Sequence, residues 1–183
     1  MTAKRANARD KILDAAQRVA AERGAGRITL DEVARAAELS KGGLLYHFPS
    51  KEALIQGMLE RLVAATTVVR EQEAEKLPAG PHRTLKALLA TRNQDGLFNP
   101  DVLMAILAAA AEQPELLDPV RTHIAQVRAQ IIQESGNQEL FWLLWAASDG
   151  LLLQETLGIA PYPPEQRQQV RQKLLSIAEE LLQ

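Results

Sequence analysis

Apolar positions along the chain recur at three- and four-residue spacing, and no stretch of strand length alternates with period two. The pattern therefore predicts helices throughout, with glycine, proline and capping residues marking their ends. Ile12, Leu13, Ala16, Val19 and Ala20 form one stripe, expected to stop at Gly24 and Gly26. Thr29-Leu30-Asp31-Glu32 reads as a capping box, in which the Thr29 hydroxyl accepts from the third helical residue and Glu32 reaches back. Leu30, Val33, Ala34 and Ala37 give the short second helix its buried face. Ser40 caps a third helix that runs to Phe48. Pro49-Ser50-Lys51-Glu52 stops that helix and starts a long fourth over about residues 51–76, which buries Leu54, Met58, Leu62 and Val69.

The rest of the chain follows the same logic. Leu77-Pro78-Ala79-Gly80-Pro81 is a break, and Pro81 suits the first turn of a fifth helix carrying Leu85, Leu88 and Leu89. Asn99-Pro100-Asp101 opens a sixth, whose residues Val102 to Ala111 are apolar on all sides and are expected inside the body. Asp118-Pro119 opens a seventh with a stripe of Val120, Ile124, Val127 and Ile131, closed by Gly136. Residues 140–157 are apolar almost all round and end at Gly158. The final helix places Val170, Leu174, Ile177 and Leu181 at spacings of four, three and four. A helix apolar on several faces must be covered on several faces. Beside a heptad-patterned neighbour, the economical cover is the same helical pair of a second copy, and the alternative is a wholly internal pair.

The fold class read from this pattern is all-α with about nine helices. Composition adds limits. With 46% apolar and 24% charged residues, the chain has the make-up of an ordinary globular protein. It has no cysteine, so disulfides, thiolate metal sites and a cysteine nucleophile are excluded. That fits a reducing cytoplasm, as does a basic N-terminus with no apolar signal core behind it. The apolar run from Leu140 to Leu153 carries Asp149 and is too short to span a bilayer, which takes roughly 18 residues or more, so no membrane partner is expected. The net charge of −2 hides an asymmetry: residues 1–51 carry ten Lys/Arg against six Asp/Glu, and the remainder carries eleven against seventeen. A head of +4 on a body of −6 is the balance of a DNA-contacting segment on a separate support.

The stretch from Thr29 to Lys51 has the size of a helix-turn-helix, with its turn at Ala37-Glu38-Leu39 and the motif over about residues 29–48. Ser40, Lys41, Gly42 and Gly43 open its second helix, where free backbone N–H groups favour a phosphate and the two glycines permit close approach. Lys41 can reach a base edge or a phosphate. Tyr46, His47 and Lys51 offer hydroxyl, imidazole and ammonium donors suited to backbone phosphates, which position a helix without reading sequence. For Tyr46 and His47, packing in the core is an equal alternative.

The run Ser40-Lys41-Gly42-Gly43-Leu44-Leu45-Tyr46-His47-Phe48-Pro49-Ser50-Lys51-Glu52-Ala53-Leu54 resembles the recognition-helix signature of TetR-type (TetR/AcrR) regulators. Ile12-Leu13-Asp14-Ala15-Ala16, Gly24, Thr29 and Val33-Ala34-Arg35-Ala36-Ala37 match upstream. Many members have Thr, Leu, Tyr where this chain has Gly43, Leu44, Leu45, and Gly where it has Glu38. With Gly43 lacking a side chain and Leu45 expected to pack, base readout is expected from Lys41, from Leu44 against a thymine methyl, and from DNA shape. The resemblance implies a DNA-binding domain over residues 1–52 and a ligand-binding, dimerising body over residues 53–183. It also implies a cytoplasmic homodimer, a repressor released from a near-palindromic operator by a largely apolar effector. Thr29, Ser40, Lys41, Gly42, Gly43, Leu44, Tyr46, His47 and Lys51 are the expected DNA-facing residues.

For the body, the candidate pocket residues are Arg92, Phe98, Met104, Trp142, Trp145 and Asp149, although apolar aromatics on such helices are also ordinary core. Asp149 in an apolar run needs a partner: one within the fold first, then a dimer contact, then a cationic ligand group. The candidate dimer residues on the last two helices are Leu144, Leu151, Val170, Leu174, Ile177 and Leu181. His82 and His123 stand apart from any metal-spaced cluster. There is no nucleophile elbow, phosphate loop or paired catalytic carboxylate, so neither an enzyme nor a cofactor is expected. The other reading is a helical ligand-binding or adaptor protein that does not bind DNA. Lys41, Tyr46, His47 and Lys51 weigh against it.

Overall fold

The computed structural model describes residues 2–23, 28–94, 96–136 and 138–182, apart from the side chains of residues 2–7 and 23. The break expected at Gly24 and Gly26 lies outside the described residues. Among the described residues are helices α1 (Thr2–Arg23), α2 (Leu30–Ala36), α3 (Lys41–His47), α4 (Lys51–Glu75), α5 (Arg83–Arg92), α6 (Pro100–Glu112), α7 (Asp118–Ser135), α8 (Glu139–Thr156) and α9 (Arg167–Leu181). They contain no strand, and none of these helices is long and apolar enough to cross a membrane. Short 3-10 turns at Pro114–Leu117 and Pro164–Gln166 lead into α7 and α9.

Contacts divide the chain into two compact units. The first runs to Leu62 and resumes over Phe98–Val120, and the second comprises Val63–Leu97 and the chain from Arg121 onward. In the first, the α1 stripe is sealed, with Ile12, Leu13, Ala16 and Ala20 at 0% exposure, and Val33, Leu44, Phe48, Leu54 and Met58 close around it. The sixth helix corrects an expectation. Val102, Ala105 and Ile106 join this first core, and α6 packs on α1, while Leu107 is 39% exposed. A helix that reads apolar all round in sequence thus buries one face and leaves Leu107 open in the monomer.

In the second unit, α5, α8 and α9 pack on one another, and Leu85, Leu88, Leu89, Val127, Ile131 and Phe141 form the core. The fifth helix starts later than Pro81 implies. His82 adopts a left-handed conformation (φ 65°) just before Arg83 and has no side-chain cap bond. The end of α7 supplies the cap instead: the Thr84 N–H donates to the Glu134 carboxylate at 2.8 Å, and the His82 N–H donates to the Ser135 hydroxyl at 2.7 Å. Burial and the Lys86 charge both hold the His82 imidazole below its ordinary pKa. Gly136 and Gly158, both at positive φ, end α7 and α8 where Gly was expected to stop them.

Candidate nucleic-acid interface

Three caps set the geometry of residues 29–51. Thr29 accepts from the Glu32 N–H at 3.3 Å, and its hydroxyl donates to the Glu32 carboxylate at 3.0 Å, so Glu32 reaches back to the side chain of its cap. Ser40 accepts from the Gly43 N–H at 3.1 Å, and Ser50 accepts from the Ala53 N–H at 3.1 Å. The turn between α2 and α3 carries Glu38 at φ 55°, a conformation that favours glycine. Lys11 holds that carboxylate at 2.9 Å, and this hydrogen bond, followed by the Lys11 charge, keeps Glu38 below its ordinary pKa.

The seven residues of α3 sort by face. Leu44 is fully buried and belongs to the first core, which overturns its expected contact with a thymine methyl. Its neighbour Leu45 is half-buried. Gly42 and Tyr46, four residues apart, lie on the open side: Tyr46 is 66% exposed, and a Cβ added at Gly42 would meet nothing within 4 Å. A Cβ at Gly43 would come within 3.3 Å of the Ser40 hydroxyl, so that glycine clears the cap. Tyr46 therefore sits on the surface and not in the core, with its ring edge-on to half-buried His47 at 5.3 Å. Thr29 and Ser40 are exposed, and Lys51 is half-buried at the start of α4.

Lys41 does not stand alone. Its ammonium bonds Asp31 on α2 at 3.0 Å, with both side chains about 60% exposed. Asp31 is a participant that the sequence reading missed, because a pair ten residues apart across a turn leaves no periodic trace. Arg9 places its guanidinium over the Phe48 ring at 5.4 Å while bonding Glu60 at 3.1 Å, which ties α1 to the end of α3 and to α4. The site can present hydroxyl and ammonium donors on a rigid two-turn helix. It holds few side chains able to read a base edge directly.

In the second unit, Asp149 finds its partners within the fold. It accepts from Arg92 Nε at 2.7 Å and from Trp145 Nε1 at 2.8 Å. Trp142 lies 6.4 Å from Trp145, with the Arg128 guanidinium 5.7 Å above its ring. Phe98 and Met104, both half-buried, fall in the first unit. Leu144 is 5% exposed and sits in the second core, so it cannot anchor a dimer. Leu151, Val170 and Leu174 are half-buried, Ile177 is 37% exposed and Leu181 is 53% exposed. The exposed leucines of α8 and its C-cap are Leu143, Leu153 and Leu157, which the sequence reading did not select.

Residues 12–58 match the model of the bacterial regulatory proteins of the tetR family, and residues 82–179 match that of the tetracyclin repressor-like C-terminal domain. The chain belongs to the TetR family. Among curated relatives of known name, the HTH-type transcriptional regulator EthR of Mycolicibacterium smegmatis is 29% identical over 75 residues, 41% of this chain and 35% of EthR. The A-factor receptor protein of Streptomyces griseus is 39% identical over 66 residues, 36% of this chain and 23% of the receptor. The TetR-family chain thus spans only about a quarter to a third of these relatives. Solved structures match along nearly the whole chain. A transcriptional regulator from Rhodococcus sp. Rha1 has a TM-score of 0.71 at 24% identity, covering 94% of this chain and 96% of its own. A protein of Saccharomonospora viridis solved in complex with choline has a TM-score of 0.75 at 24% identity, covering 95% and 96%. These likenesses establish the shared all-helical TetR fold.

Proposed function

We propose that this TetR-family chain is a cytoplasmic, homodimeric repressor that binds a near-palindromic operator and leaves it when a small molecule enters the second unit. The observation that carries the reading is the open face of α3. Gly42 and Tyr46 are presented to solvent, with Lys41 beside them, on a helix fixed from behind by buried Leu44. Such a helix can lie in a major groove, with Tyr46, His47 and Lys51 holding phosphates and Lys41 reaching a base edge. Two copies would address two half-sites about one helical turn apart. Coupling between effector and DNA must be reciprocal, so operator DNA weakens effector binding by the factor that effector weakens DNA binding.

The test is fluorescence anisotropy with the DNA upstream of its own gene, titrated with salt. The logarithm of affinity should fall linearly with the logarithm of salt concentration. Lys51→Ala should weaken binding to every sequence alike. A flat salt response, or a Lys51→Ala variant that loses only its discrimination, overturns the phosphate-gripping role.

A further inference from the structure

Among the described residues of the second unit, one buried guanidinium keeps a nitrogen without a hydrogen-bond partner. Arg70 follows Thr66 by one turn on the buried side of α4 and is 8% exposed. Its Nη1 is sealed from water with no hydrogen-bond partner. Thr66 offers no relief, because its hydroxyl donates to the Val63 carbonyl at 2.9 Å. Glu71 favours the charged guanidinium, but burial outweighs it and leaves Arg70 below its ordinary pKa. An isolated buried cation is among the costliest arrangements a fold can keep, and natural proteins keep it when something pairs with it.

The surroundings deepen the imbalance. The field of both Arg70 and Arg92 reaches His123 on α7, and these charges, behind the larger effect of burial, hold the imidazole below its ordinary pKa. The carboxylate that pairs with Arg92, Asp149, is committed on both oxygens, to Arg92 and to Trp145. Two guanidinium groups thus act on one imidazole, and the carboxylate that serves Arg92 is already engaged on both oxygens. Arg70 Nη1 calls for an acceptor oxygen, and a negative charge on that acceptor would offset the buried guanidinium.

We propose that Arg70 is the anchor for an anionic effector, a small organic monocarboxylate whose head group takes the unpaired Nη1 and neutralises the buried charge. A carboxylate matches the planar fork of a guanidinium and brings the one charge required. The word effector rests on the ligand-responsive reading above; the anion site itself does not. Asp149 is then a positioning residue that holds Arg92 and Trp145 in place.

The experiment uses the full chain without DNA. Acetate, benzoate and octanoate are compared with benzyl alcohol, octanol, benzylamine and octylamine, by thermal melting and by the emission of the chain's two tryptophans, Trp142 and Trp145. At least one carboxylate should raise the melting temperature and change the emission saturably, and its alcohol and amine counterparts should not. Arg70→Met, which removes the charge and keeps the stem, should melt higher than the parent without ligand. It should also bind the carboxylate roughly tenfold to a hundredfold more weakly, the loss expected for a charge-assisted bond. Arg70→Lys, which keeps the charge without the fork, should fall between and serves if Arg70→Met does not fold. The proposal is overturned if no carboxylate binds, if alcohols or amines bind equally, or if the Arg70 variants bind carboxylate as the parent does. Carboxylate binding that leaves DNA affinity unchanged, or that persists in a chain with no DNA binding, overturns the regulatory reading and upholds the anion site.

Discussion

Two pairs of adjacent leucines show what a single side chain does in this molecule. Leu44 is sealed in the first core while Leu45 is half-buried, and Leu144 is 5% exposed while Leu143 is 67% exposed. Neighbours on a helix point about 100° apart, so where a helix is covered on a narrow face only one of a pair is sealed. Leu44→Ala removes a buried side chain under α3 and should cost about 2–5 kcal/mol of stability, read by denaturant unfolding. Tyr46→Phe, on the open face, should leave stability within about 0.5 kcal/mol of the parent and lower DNA affinity. Equal stability for Leu44→Ala and the parent would place Leu44 on the DNA side after all. The sequence reading packed Leu45, turned Leu44 toward DNA and put Leu144 on the dimer face, whereas Leu44 and Leu144 are the buried members of their pairs. In a helix as short as α3, or as uniformly apolar as α8, hydrophobic periodicity has no contrast from which to read a direction. Arg70 escaped notice for the opposite reason: a charged residue in a buried register is visible only once Thr66 and Arg70 are seen to share the covered side of α4.

At the scale of the element, Gly57 of α4 makes room for Phe48, the residue that caps α3. A Cβ added at Gly57 would lie 2.6 Å from Cε1 of Phe48 and 3.4 Å from a methyl of Leu13. Phe48 closes α3, is 3% exposed and carries the Arg9 guanidinium over its ring, so it has little room to yield. Gly57→Ala gains about 1 kcal/mol of helix propensity and should lose about 1–3 kcal/mol to overpacking, for a net loss of stability. Because the displaced ring ends the helix proposed to face DNA, DNA affinity should fall with it. A Gly57→Ala variant more stable than the parent, with unchanged DNA binding, would show that Phe48 moves freely. Element ends were legible wherever the signal was local: Ser40, Ser50 and Asn99 all cap as their sequence context implies. The start of α5 was not, because its cap comes from Glu134 and Ser135, some fifty residues away. The Thr29–Glu32 pair was legible as a box, while its bonding between side chains was settled only by geometry.

At the scale of the whole molecule, α8 and α9 both carry exposed large apolar side chains. Leu143, Ala146, Ala147, Gly150 and Leu157 fall on one side of α8 by their spacing, and a Cβ added at Gly150 would meet nothing within 4 Å. Ile177 and Leu181 are the open members of the stripe on α9. Large leucines flanking small residues allow two helices to approach closely, and we propose this face as the contact between two copies. Leu143→Asp would place a carboxylate from each copy against this surface. Because the side chain is 67% exposed in the monomer, the fold should survive with its melting temperature nearly unchanged at low concentration. The dimer, in contrast, would bury two unpaired charges related by symmetry, at a combined cost of about 3 kcal/mol or more, so its dissociation constant should rise roughly a hundredfold. Sedimentation equilibrium reads that change directly. Affinity for a palindromic site should collapse toward that of a half-site, because a monomer brings one recognition helix to it. Leu144→Asp is the control that separates interface from core: it should unfold the second unit at any concentration. If Leu143→Asp remains a dimer of parental affinity, the symmetric contact lies on another face, and the open leucines of α8 need a different partner.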